Sequence, residues 1–169
     1  MRVAVMLFIV IAVAVVPLLP GSAADTTAPD FTLKDLDGNN VKLTDVLKTH
    51  ELVLIDFWNI ACKPCAEFMN SFDPWNEEYG DRGFTILSIN TDSSQTTSKV
   101  KPFISGRNYE FTVLLDPNLE VYKRYQVKGV PTTLLVNKNR EIVLRHLGYK
   151  KGVEEEIEDA IEANLPQAD

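Results

Sequence analysis

Two cysteines, Cys62 and Cys65, are all that the 169-residue chain contains, and only Lys63 and Pro64 separate them. A dithiol this tightly spaced suits exchange chemistry. One thiolate attacks a disulfide, and the second thiol is close enough to attack the mixed disulfide that results. A purely structural staple is the other use for the pair. The entropy model gives that staple roughly 2 kcal/mol for so short a loop, against about 3 for a fifteen-residue loop, so the spacing is poorly suited to the role. The flanking residues match the redox use. Leu52 to Phe57 is an apolar run long enough for one buried strand; it breaks into a loop and re-emerges as a helix that starts at the cysteines. Unpaired N–H groups and the positive end of the helix dipole would stabilise a thiolate on Cys62.

Three features accompany the dithiol. Asp56 lies inside the apolar strand, where burial of an ionised carboxylate is costly and its pKa should rise, as suits a group that takes a proton from Cys65. The alternative is a strand-end aspartate bonded to local backbone. Lys63 carries a charge that would favour the Cys62 thiolate, or is an ordinary solvated lysine. Far along the chain, Gly129-Val130-Pro131-Thr132-Thr133 opens a strand with a proline that cannot donate to the sheet ladder. A cis Val130-Pro131 bond would set a turn beside the dithiol, and a trans loop proline is the commoner arrangement.

The first 24 residues form a separate segment. Met1-Arg2 is a positive start, Val3 to Val16 is unbroken apolar sequence, and Gly21-Ser22-Ala23-Ala24 offers the small residues of a signal-peptide cleavage site. The alternative is an uncleaved anchor, since Val3 to Leu19 is at the short limit for a bilayer span. No cysteine follows the leader to carry a lipid. Residues 25–169 then have the length of one domain with a single core. A net charge of -7 argues against nucleic acid or an anionic membrane surface as partner. Export places the thiols where disulfides persist, so the pair needs an outside electron source to act as a reductant.

The remaining elements follow from pattern. Phe31 to Leu33 and Val41 to Leu43 make a hairpin around Asp37-Gly38-Asn39-Asn40, and Thr44 caps a short helix through Leu47. The helix from Cys62 runs to Tyr79, kinked or restarted at Pro74 with Asp73 as its cap. Phe84 to Asn90 and Phe111 to Leu115 read as strands, Thr97 to Gly106 as a helix, and Asp116-Pro117 as cap and first residue of a helix through Tyr125. Thr132 to Val136 and Ile142 to Leu147 form a hairpin, and Val153, Ile157, Ala160, Ile161 and Leu165 mark one face of a closing helix. The alternation of strands and helices predicts an α/β fold, a central mixed β-sheet flanked by helices with an N-terminal β-hairpin extension.

Asp56-Phe57-Trp58, the Cys-x-Pro-Cys at Cys62 to Cys65 and the distant Gly129-Val130-Pro131-Thr132 together resemble the thioredoxin superfamily. The leader, Ala28-Pro29-Asp30-Phe31-Thr32-Leu33 and Leu114-Leu115-Asp116-Pro117 are similar to its exported TlpA/ResA-like branch, a redoxin domain of the AhpC/TSA type. The resemblance covers nearly all of residues 28–165 and implies a thioredoxin-like fold. It also implies that Cys62 is the attacking thiol, Cys65 the resolving thiol and Asp56 the buried proton acceptor. Trp58, Lys63, Pro64, Val130 and a cis Pro131 would contact substrate. It implies no cofactor and no metal, a monomer, exported disulfide-containing proteins as substrates, apocytochrome c among them, and a membrane thiol donor that restores the dithiol. Two positions depart from the pattern: Ala61 precedes Cys62 where the family usually has tryptophan, and Thr132 follows the proline where the cytochrome c maturation reductases often carry an acid.

Competing chemistries fit less well. The opening Ala-Pro-Asp-Phe also occurs in peroxiredoxins, whose peroxidatic cysteine sits in a Pro-x-x-x-Thr-x-x-Cys setting, whereas Asn59-Ile60-Ala61 precedes Cys62 here. A thioredoxin-fold copper carrier binding through the two cysteines is the alternative function, but such carriers have wider cysteine spacing and a histidine ligand, and only His50 and His146 are available. The absence of room for a large helical insertion argues against a strong oxidase of the DsbA type. The expected activity is therefore thiol–disulfide exchange in the periplasm or another extracytoplasmic space, in the reducing direction.

Overall fold

The computed structural model describes residues 27–167, so the expected leader, residues 1–24, lies outside the described part. One seven-stranded sheet forms the middle layer, in the order β2-β1-β5-β4-β3-β6-β7. Its strands are β1 (Thr32–Asp35), β2 (Asn40–Lys42), β3 (Leu52–Trp58), β4 (Phe84–Asn90), β5 (Thr112–Leu115), β6 (Thr132–Asn137) and β7 (Ile142–Leu147). β3, β4 and β5 run parallel, while the β1–β2 hairpin and the β6–β7 hairpin join antiparallel at either side. The helices are α1 (Leu43–Val46), α2 (Lys63–Phe68), α3 (Phe72–Tyr79), α4 (Val100–Ser105), α5 (Glu120–Arg124) and α6 (Val153–Asn164).

β3 is buried on both faces, which is why it reads as an almost unbroken apolar run. Its side chains alternate between two cores. Leu52, Leu54 and Trp58 pack with Cys65, Phe68 and Phe72 and, from α6, with Val153, Ile157 and Ile161. Val53, Ile55 and Phe57 pack on the other face with Leu43, Val121 and Tyr125. Asp56 shares the parity of Leu54 and Trp58, so the strand delivers its carboxylate to the face that holds Cys65.

Three local expectations are corrected. Lys42, with no side-chain cap, occupies the N-cap of α1; the N–H and Oγ1 of Thr44 instead donate to the carboxylate of Asp30, each at 3.1 Å. The helix after the cysteines does break, through a 3₁₀ turn at Met69–Ser71, and Pro74 falls in the first turn of α3, where its missing N–H costs nothing. Asp73 is no cap: it accepts from the N–H groups of Glu110 and Phe111 and ties α3 to the approach to β5. The third correction concerns α5, which starts at Glu120 because Leu119 adopts a left-handed backbone, φ 58°. Asp116 reaches over that turn to accept from the N–H of Glu120 at 2.9 Å and of Tyr122 at 2.8 Å.

Candidate active site

The site forms where β3 ends and α2 begins. Trp58 to Cys62 must reverse from a central strand into a helix, and the neighbouring parallel strand β4 holds that turn. Thr91 donates to the carbonyl of Trp58 through both its N–H and its hydroxyl, each at 2.8 Å. Asp92 accepts from the N–H of Ile60 at 2.8 Å and from the Asn90 amide. Cys62 then takes the N-cap of α2, and its sulfur accepts from the N–H of Cys65 at 3.2 Å. Cys62 and Cys65 are joined as a disulfide, with Cα atoms 5.3 Å apart. Their environments differ: Cys62 is half-buried and faces a shallow, open cleft lined by Asn59, Ala61, Cys62, Lys63, Pro64 and Val130, whereas Cys65 is fully buried in the core. Lys63 and Pro64 are exposed in the first helical turn.

Asp56 is sealed beneath this surface, with no exposed area. Its Oδ1 accepts from the hydroxyl of Thr133 at 3.0 Å, across the β3–β6 ladder in which the two residues are paired. Burial pushes its carboxyl well above the ordinary carboxylate range, and the Thr133 bond pulls weakly the other way. The strand-end alternative therefore gives way to a carboxyl held inside the sheet. The Val130-Pro131 peptide bond is cis. The carbonyl of Pro131 accepts from the N–H of Gly148, and Thr132 Oγ1 closes the preceding loop onto the carbonyl of Gly129 at 2.6 Å.

Of the residues expected at the site, Cys62, Lys63, Pro64 and Val130 share the cleft. Asp56 and Pro131 are buried behind it. Trp58 is a correction: it has no exposed area and packs its ring 5.3 Å from Phe103, so it supports the site from below and does not present a surface to substrate. Asp92 and Thr91 were not singled out by the sequence, and Thr133 appeared only within the strand-opening motif with no role of its own, although each holds a part of the site. The only signal for Thr91 and Asp92 was their place directly after a strand, where ligand-facing loops of parallel sheets gather. Among the described residues, no group of three or more His, Cys, Asp or Glu side chains comes together. His50 lies against the carbonyl of Val46 and His146 beside Glu156, at 3.9 Å.

Residues 24–145, well over half of the chain, match the AhpC/TSA family. The chain belongs to the AhpC/TSA family. Among AhpC/TSA relatives, a thiol-disulfide oxidoreductase ResA of Halalkalibacterium halodurans is 30% identical over 145 residues, covering 86% of this chain and 79% of the relative. The ResA of Geobacillus thermodenitrificans is 32% identical over 120 residues, covering 71% and 67%. A putative thiol:disulfide interchange protein DsbE from Chlorobium tepidum superposes with a TM-score of 0.76 at 34% identity, over 83% of this chain and 96% of that one. The thioredoxin domain of a thiol-disulfide oxidoreductase from Bacteroides vulgatus does so with a TM-score of 0.68 at 27% identity, over 80% and 95%. The thioredoxin-like fold expected from the motifs is therefore the fold of this AhpC/TSA protein, with the expected hairpin extension at its N-terminal side.

Proposed function

We propose that the protein is a thiol–disulfide oxidoreductase that reduces disulfides of exported proteins. The observation that carries this reading is the asymmetry of the pair, an accessible Cys62 over a fully buried Cys65. In the reduced protein the N–H of Cys65 and the opening turn of α2 stabilise the Cys62 thiolate, and Lys63 adds a positive charge beside it. That thiolate attacks one sulfur of a substrate disulfide; the substrate S–S bond breaks and its other sulfur leaves as a thiolate that takes up a proton. Cys65 then loses its proton to Asp56, which sits on the same face of the sheet, and attacks the Cys62 sulfur. The Cys62–Cys65 disulfide forms and the substrate departs as a dithiol, two electrons richer.

Substrate main chain docks beside Val130, which lines the cleft and, among the described residues, has no hydrogen bond on its N–H or carbonyl. A membrane thiol donor returns two electrons to the disulfide, and the leader exports the domain to the compartment where such substrates occur. Apocytochrome c is one candidate, although Thr132 stands where an acid accompanies that role. The test is mixed-disulfide trapping. Cys65→Ser accumulates covalent adducts with disulfide substrates and Cys62→Ser accumulates none, read on non-reducing gels; equal trapping by the two variants overturns the roles.

A further inference from the structure

The carboxylate of Asp56 is hydrogen-bonded on one side only. Oδ1 is taken by Thr133, while Oδ2 is buried and has no partner among the described residues. On the opposite side of β3, the residue in register with Asp56 is Ser88 of β4. Its Oγ is likewise buried and without a partner. Ser88 shares the parity of Phe84 and Ile86, which pack in the core that holds Cys65, so Ser88 and Asp56 project from the same face of adjacent parallel strands. Two orphaned polar atoms in one low-dielectric site cost about 1–3 kcal/mol each when they stay apart. In this structure the two atoms are not bonded to each other; a serine has three staggered χ1 rotamers, and a change of rotamer or one bridging water brings a hydroxyl donor to the carboxylate.

We propose that Ser88 is a positioning residue for the proton-accepting step, its hydroxyl binding Oδ2 of Asp56 opposite Thr133 so that two flanking strands hold the carboxylate in place toward Cys65. This rests on the proton-acceptor role given to Asp56 above. The clamp is symmetric in chemistry: a hydroxyl donor on each oxygen, one from each neighbouring strand. Donors of this kind favour the ionised carboxylate, so each lowers the pH at which Asp56 is ready to take a proton. The other titratable groups packed on this face among the described residues include Cys62 and Cys65, His146 of β7, which is paired with Thr133, Glu156 of α6 beside that histidine, and Tyr79, Tyr109 and Tyr149, of which Tyr79 donates to Glu158 and Tyr149 to Glu154.

The experiment is a carboxyl NMR titration of the full oxidised domain, together with the pH profile of kcat/KM for a disulfide peptide, on the wild type, Ser88→Ala, Ser88→Thr and Asp56→Asn. Ser88→Ala moves the Asp56 titration and the acid limb of the profile upward by about 0.5 to 1 pH unit, a rate loss of about three- to tenfold on that limb. Ser88→Thr restores both. A Ser88→Ala titration that overlays the wild type overturns the clamp while leaving Asp56 in its role. If Asp56→Asn retains the acid limb, the proton-acceptor assignment itself fails, and the clamp with it. The NMR titration reads the carboxyl directly, so a variant that is merely less stable does not imitate the shift.

Discussion

A carboxyl group enclosed in a sheet behaves differently from one on a surface, and Asp56 makes that difference measurable. Its folded-state pKa is raised by burial, so in the native protein it keeps its proton at pH values where the unfolded chain, with an ordinary carboxyl near 4, has released it. As pH rises from about 4, the contribution of Asp56 to stability therefore falls by about 1.4 kcal/mol per pH unit, until the folded group also ionises and the loss levels off. Asp56→Asn lacks this penalty. Its melting temperature is expected to match or trail the wild type below pH 4 and to exceed it by a margin that grows toward neutral pH; a margin independent of pH would contradict the buried-charge account. The cysteines differ in the same way by accessibility. In the reduced protein, iodoacetamide should modify Cys62 faster than the buried Cys65, by on the order of tenfold or more, as read by peptide mass spectrometry. Asp56 was legible in the sequence because a single acid in an apolar strand is conspicuous. Its partner Thr133 was not, because that contact depends on the register of two strands and links residues 77 positions apart. Trp58 was misplaced for a related reason: only the parity of β3 shows that its ring turns inward to Phe103.

At the level of elements, the strands were easier to read than the helix starts. Short apolar runs of strand length bounded by turns identify β3, β4 and β6 whatever their neighbours are. Helix starts depend on which distant group satisfies the first N–H donors, and here Asp30 and Asp116 do so across turns that a local capping pattern does not describe. Asp116 is almost fully buried and holds two N–H groups of α5. Asp116→Ala should therefore cost about 2 kcal/mol, lowering the melting temperature by roughly 4–8 °C in a domain of this size. Circular dichroism melts measure this, and a shift under about 1 °C would show that water replaces the carboxylate at no cost. The turn before Cys62 is a further case in which sequence was insufficient. Asp92 and Thr91 belong to a polar loop with no pattern of its own, and only the parallel pairing of β3 with β4 brings them against Ile60 and Trp58.

For the molecule as a whole, redox direction is a statement about the relative stability of two folded forms. A reductant holds its disulfide form as the more stable one, whereas a strong oxidant is strained toward its dithiol, and each 30 mV of potential corresponds to about 1.4 kcal/mol of that difference. The reducing role proposed here requires the oxidised domain to melt at a higher temperature than the same domain in excess dithiothreitol. The opposite order would make it an oxidant. The sheet order has a separate consequence, which concerns the protein in a crowded solution. Without the N-terminal hairpin, the parallel part of the sheet would end at β5, whose Thr112-Val113-Leu114-Leu115 is an apolar, β-prone edge of the kind that recruits a strand from another molecule. β1 pairs with Leu114 and Leu115 of that edge, and the new boundary is β2, only three residues long and carrying Asn40 and Lys42. The hairpin thus acts as a guard against aggregation, replacing an adhesive margin with a short, charged one.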